Sequence, residues 1–156
     1  MSEIYLWLKW AHVVSSTVLF GMGAGIAFLF VRAQRTGDVR VIAFAREVVI
    51  ADAIFTASAV VLQPATGLAM VRLAGYPLYL PWLRWSIVLY VSIGCCWLPV
   101  VWLQVLMRNL AARAAQDGMA LPSAYFQYYR WRFYLGWPAF TGVLTVFYLM
   151  VVKPAM

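Results

Sequence analysis

The chain has 156 residues, of which 65% are hydrophobic and 11% charged, with 12 Lys and Arg against 5 Asp and Glu. A soluble domain carries about 45–50% apolar and about 25% charged residues, so this composition excludes one and leaves no room for a separate soluble unit. The formal charge of +7 does not point to nucleic acid, because the cations are spread over helix ends and no polar, basic segment exists to carry a contact surface.

A bilayer core takes about 20 consecutive apolar residues per helix, and four stretches meet that length, at approximately 4–32, 46–72, 82–107 and 133–152. They predict an all-α fold: one antiparallel bundle of four transmembrane helices occupying 1–156 as a single multi-pass domain. The first stretch does not read as a cleavable signal peptide, since Glu3 precedes any basic residue and no clean small-x-small cleavage pattern follows a long apolar run. It is expected to remain as the first span.

That span opens Leu6-Trp7-Leu8-Lys9-Trp10-Ala11-His12-Val13 and contains the one histidine of the chain. Lys9, Trp7 and Trp10 fit an interfacial anchor, with the ammonium snorkelling and the indoles at head-group level. At 1.5 Å per residue, His12 falls roughly 12 Å inside the boundary. An ionisable group at such depth is a functional candidate, and three readings stand: a neutral imidazole bonded to a neighbouring helix, a cofactor ligand, and a proton carrier. Ser15, Ser16, Leu19 and Gly23 follow at helical spacing and form a small, polar strip, suited to a flat ligand or to a helix interface. Gly21-Met22-Gly23-Ala24-Gly25 lacks the strand before it and the Lys-Ser/Thr after it that a phosphate loop needs, and reads as close packing.

Gln34 to Asp38 is a short polar turn. In the second span Asp52 lies roughly 9 Å inward of Arg46, either as a carboxylate held by an Arg or a backbone donor, or as part of a proton path. Gln63 comes to the level of His12. The turn from Ala74 to Pro81 joins the second and third spans, and both turns predict antiparallel neighbours. In the third span Tyr90, and in the fourth Thr141 and Thr145, reach the same level as His12 and Gln63. Pro64, Pro99 and Pro138 fall inside helices, where each frees a carbonyl. Cys95 and Cys96 point about 100° apart and read as small packing residues or as soft-metal or redox groups, with no CxxC spacing. Between Asn109 and Ser123, Ala111 to Ala115 should prolong the third helix until Asp117-Gly118 ends it. Tyr125 to Arg132 mixes aromatics with arginines, as a helix does when it lies at an interface and then enters it.

Arg32, Arg35, Arg40 and Arg46, with Arg108, Arg113, Arg130 and Arg132, border one side; Lys9, Arg72, Arg84 and Lys153 border the other. Eight cations against four predict that both termini lie on the extracytoplasmic side of the membrane. Arg72, Arg84 and Lys153 can sit among head groups or pair with the carboxylates of a ligand.

Taken as a whole, the chain resembles a bacterial family of predicted integral membrane proteins built on a domain of unknown function. The likeness is carried by Leu8-Lys9-Trp10-Ala11-His12-Val13, Gln63-Pro64-Ala65-Thr66-Gly67-Leu68, Trp97-Leu98-Pro99-Val100-Val101-Trp102-Leu103-Gln104 and Gly136-Trp137-Pro138-Ala139-Phe140. More distantly, Leu6-Trp7-Leu8-Lys9-Trp10-Ala11-His12-Val13 and Met150-Val151-Val152-Lys153-Pro154 resemble the two ends of the HemJ-type membrane protoporphyrinogen oxidase, a haem-containing helical protein. That resemblance implies His12 as a haem ligand. The family opens its third helix with Trp-Leu-His-Ala-Lys, where this chain has Trp82-Leu83-Arg84-Trp85-Ser86, and the chain has no second histidine for a bis-histidine centre.

These readings lead to a b-type haem or other porphyrin held through the iron by His12, with Arg84 and Lys153 as propionate partners and Tyr90 or Gln63 on the distal side. Any catalysis would be that of a membrane oxidoreductase serving the quinone pool. Two other classes stay open. One is a small copper or ion transporter, for which Met1, Met22, Met70, Met107, Met119, Met150 and Met156 would be soft ligands without a paired spacing. The other is a non-catalytic subunit or assembly partner, in which lipid-facing helices would also serve a homo-oligomer.

Overall fold

The computed structural model describes residues 2–44 and 46–154, and the side chains of 43, 44, 46–48 and 53 lie outside the described set. The side chain of Arg46, one of the cations used for orientation, is therefore outside it. The helices are α1 (Glu3–Thr36), α2 (Val39–Phe44), α3 (Arg46–Leu73), α4 (Pro81–Asp117) and α5 (Ser123–Val152), with no strand among the described residues. Glu3–Thr36, Val49–Leu73, Pro81–Asp117 and Ser123–Val152 are long and apolar enough to cross a membrane. Four crossings bring both chain ends to one side, here the terminal face.

Local chemistry accounts for the helix boundaries. Ser2 caps α1 by accepting from Tyr5 N, and Glu3 sits in the first turn, where the helix dipole favours a carboxylate. Gly37 ends α1 in the left-handed conformation at φ 65°, donating its N–H to Gln34 O. The turn expected over 34–38 is thus tighter, because one glycine suffices to break the helix. Asp38 Oδ1 then accepts from Arg40 N at 2.8 Å and starts α2, a short helix with no apolar period long enough to announce it. Pro81 opens α4 at a position that needs no N–H, and Gly118, at φ 64°, closes it. The alanine run does prolong the helix to Asp117, and Tyr125 to Arg132 belongs to one continuous α5 that starts at Ser123.

The bundle is two helix pairs. α1 packs along α3 and α4 along α5, while the pairs meet only lightly. Antiparallel neighbours are expected from the first and second connections: α1 and α3 pack closely, whereas α3 and α4 touch only lightly and the close partner of α4 is α5. The turn has its own packing: Tyr76 meets Trp82 edge-on at 5.8 Å, and the Lys153 ammonium lies 5.4 Å from each ring. Nothing in lipid forces a residual gap between helices to close, since acyl chains are as apolar as the side chains they touch.

Where the pairs do meet, the contacts are few and specific. Phe20 of α1 stacks on Phe140 of α5 at 5.2 Å and leans on Phe147 at 5.7 Å. Tyr90 of α4 donates its hydroxyl to Val60 O of α3. At the far face α1 and α4 run beyond the thickness of a bilayer core and α2 covers them, forming the buried cluster of Ile26, Phe30, Ile42, Val49, Met107, Ala111 and Tyr125. Elsewhere the large apolar side chains point outward, as Val61, Leu98 and Trp102 do, and face lipid.

Gly142 marks the closest approach of α4 and α5: a Cβ there would lie 2.8 Å from Ile93 Cγ1. Alanine at an ordinary helix position stabilises relative to glycine, but overpacking costs about 1–3 kcal/mol and here exceeds that gain. Gly142→Ala is therefore expected to lower the unfolding midpoint in mild detergent, and the loss should shrink in an Ile93→Ala background, as a double-mutant cycle would show.

Candidate functional site

Residues spaced by helical turns build two polar clusters with a cavity running between them. Toward the terminal face, α1 and α3 are joined through His12, Ser15, Gln63 and Thr66. Gln63 Nε2 donates to His12 O at 2.8 Å and to Ser15 Oγ at 3.0 Å. His12 Nδ1 lies 2.8 Å from Thr66 Oγ1, and the Thr66 hydroxyl donates to Leu62 O at 2.6 Å.

A hydroxyl has one proton. With it given to the Leu62 carbonyl, Thr66 accepts from the imidazole, and in that arrangement the proton sits on Nδ1 and the lone pair on Nε2. Among the described residues no hydrogen bond reaches Nε2. The ring also lies flush on α3, with His12 Cε1 3.2 Å from where a Cβ on Gly67 would stand, so glycine is what admits the imidazole.

The second cluster is deeper, toward the far face. Asp52, 5% exposed, accepts from Thr56 through Oδ1. With its amide nitrogen toward Asp52, Gln104 donates to Oδ2 at 3.1 Å and its oxygen accepts from Arg132 Nη2 at 3.1 Å. One neutral amide thus links a carboxylate on α3 to a guanidinium on α5. Arg132 is 8% exposed, its Cζ stands 4.1 Å over the Phe30 ring, and its buried Nε has no hydrogen-bond partner among the described residues.

Between the clusters lies a cavity of about 530 Å³. Its terminal end is bordered by Ser16, Gln63 and Tyr90, and its far end by Asp52, Thr56, Gln104 and Arg132. The walls between are almost wholly apolar, with flat and small residues together: Trp97, Phe140 and Phe147 beside Gly23, Gly94 and Gly136. Phe28, Phe133 and Trp137 border the cavity and are also exposed, so it opens sideways between α1 and α5 toward lipid.

The residues expected to form one site divide among several places. His12 and Gln63 are joined, and Gln63 and Tyr90 border the cavity. His12 itself does not line it and stands one helical turn from Ser16, which does. Arg84 is exposed, and Lys153 is engaged with Tyr76 and Trp82 rather than aimed into the cavity. Thr141 and Thr145 do not join the His12 layer: both are exposed and return their hydroxyls to Trp137 O and Thr141 O of their own helix. Asp52 has the held-carboxylate environment, though its arginine acts through Gln104. Cys95 is exposed and Cys96 half-buried. Met107 is wholly buried in the far-face cluster and Met22 packs against it. No group of three or more His, Cys, Asp or Glu converges among the described residues.

Gln104 and Arg132 were not singled out as site residues. Arg132 read as one more interfacial cation, and the one available signal was a glutamine deep in an apolar helix, which must find a partner there.

Residues 6–154 match a family model described as a predicted integral membrane protein (DUF2269). No curated protein and no solved structure matches the chain.

Removing one partner of a buried ion pair costs about 3–5 kcal/mol, because the other charge is left without compensation. Asp52→Ala should lower stability on that scale, and Asp52→Ala combined with Arg132→Met should recover most of it in reversible unfolding from mixed micelles. Equal losses for the single and double variants would mean that the two charges are not coupled.

Proposed function

We propose that this chain, which belongs to that family of predicted integral membrane proteins, holds a flat, lipid-soluble ring compound of the porphyrin or quinone class in the cavity between its helix pairs. The observation that carries the reading is the cavity itself. Its 530 Å³ falls within the roughly 300–1,000 Å³ of small-molecule sites, its walls pair planar aromatic rings with glycines, and its ends are polar. Its lateral opening admits a ligand from the bilayer, so no aqueous path is required. In the proposed setting the termini lie outside a bacterial inner membrane, and any turnover is that of an oxidoreductase exchanging electrons with the quinone pool.

A b-type haem is a second reading, favoured by the tautomer of His12. Iron takes a neutral imidazole nitrogen, and a metal-binding histidine characteristically gives its other N–H to a fixed acceptor. Thr66 supplies that acceptor, so His12 Nε2 would hold the iron, and a bound haem would supply one-electron chemistry. Around it the chain's own residues act on the imidazole: Gln63 and Ser15 fix the helix backbone at His12, and Gly67 sets how near α3 approaches. Arg84 and Lys153 remain the proposed propionate partners, for which Lys153 would have to leave its aromatic rings.

Two measurements separate the readings. The full chain purified from haem-sufficient cells should show a Soret band that His12→Ala removes and Thr66→Val shifts or weakens; a colourless, folded protein would eliminate haem. In phosphatidylcholine nanodiscs, Gly94→Leu should reduce the binding of decylbenzene at least ten-fold, because a side chain there meets nothing within 4 Å and fills the cavity. Unchanged binding in Gly94→Leu would overturn the cavity as the site.

A further inference from the structure

We infer that the far end of the cavity selects a ring carbonyl: the ligand is a neutral quinone-type compound whose carbonyl oxygen accepts from Arg132. This rests on the cavity reading above and specifies its ligand. A guanidinium has five N–H donors in a planar fork. Among the described residues Arg132 has one acceptor, Gln104 Oε1 on Nη2; its Nε is sealed within the protein and has none, so the N–H groups left for a ligand are those at the tip of the fork, on a side chain that is more than nine-tenths buried and borders the cavity. Buried donors without acceptors are costly, and hydrogen bonds from charged donors are the stronger kind, so the unmet demand is for an acceptor oxygen.

The neighbouring charges decide which acceptor. Asp52 already receives Thr56 on one oxygen and Gln104 on the other, and it balances Arg132. A carboxylate ligand would add a second anion beside Asp52 where desolvation is expensive and, among the described residues, no further cation lines the cavity. A carbonyl satisfies the donor and adds no charge. Phe30 holds the guanidinium by a cation–π contact, and the aromatic and glycine walls suit a flat head group with an apolar tail directed to the lateral opening.

The test compares decylbenzoquinone with decylbenzene, which share ring and tail and differ in the two carbonyls, by titration calorimetry on the full chain in phosphatidylcholine nanodiscs. The quinone should bind at least about ten-fold more tightly, the equivalent of one charge-assisted hydrogen bond. In Asp52→Asn combined with Arg132→Gln, which replaces both charges by amides of similar shape and avoids stranding either, that preference should fall to within about two-fold. Gly94→Leu, which leaves the charge pair untouched, should abolish binding of both probes. Equal affinities in the parent would overturn the carbonyl assignment and leave the cavity reading standing. Failure of both probes to bind the parent would overturn both. A quinone preference that survives in the amide variant would overturn the assignment to Arg132, and unchanged binding of both probes in Gly94→Leu would overturn the cavity as the site.

Discussion

A membrane bundle is held without the force that closes a soluble core, and in this protein the consequence is concentrated at one amide. Each helix pair packs along its length, yet the pairs share few contacts, and one tie between them is the chain of polar groups from Asp52 through Gln104 to Arg132, drawn from three helices. A carboxylate and a guanidinium in direct contact would neutralise each other with little left over. Interposing a neutral amide keeps the charges close enough to balance and leaves most of the guanidinium fork uncommitted. Stability and the chemistry of the cavity therefore depend on the same three side chains.

The other cluster works differently. His12, Ser15, Gln63 and Thr66 lie within the α1 and α3 pair, and their hydrogen bonds tie together helices that already pack closely. Interhelical hydrogen bonds in membranes average roughly 0.6 kcal/mol, because the separated helices find other partners. The cluster's distinctive property is its proton inventory. The short bond from Thr66 to Leu62 commits the hydroxyl and makes the histidine a donor at Nδ1, so an imidazole that resembles a packing residue keeps a free lone pair. The structural and ligand readings of His12 are compatible, since the same bond serves both.

Much of the fold was legible because bilayer thickness converts apolar length directly into span number, and because Gly37, Gly118 and Pro81 announce helix ends by their own backbone restrictions. Gln63 could be placed beside His12 by counting rise per residue. The rotation of each helix could not be counted, since a span that is apolar all round carries no stripe to reveal its inner face. That is why Thr141 and Thr145, correct in depth, turn outward, and why the short turn between α3 and α4 makes them neighbours without telling how lightly they touch. Arg132 escaped notice for a related reason: eight cations at one face fit topology so well that one of them could be buried without disturbing the pattern.

The cavity imposes its own constraint on any account of the protein. In a soluble core an unfilled space costs on the order of 24 cal/mol per Å³, which for about 530 Å³ gives on the order of 10 kcal/mol, comparable to the whole stability of a typical domain. Beside lipid that cost is not imposed, because acyl chains are as apolar as the walls, and the physical question is what the walls and ends of the cavity would accept. An acyl chain can fill the apolar walls through the opening between α1 and α5, but it offers nothing to a buried guanidinium. Leaving Arg132 under-satisfied would be tolerable if that side chain were dispensable, yet Asp52, Thr56 and Gln104 are all arranged around it. Four polar groups stand at the end of an apolar pocket, and the proposed ligand, flat and apolar along most of its length with an oxygen at its tip, would meet both.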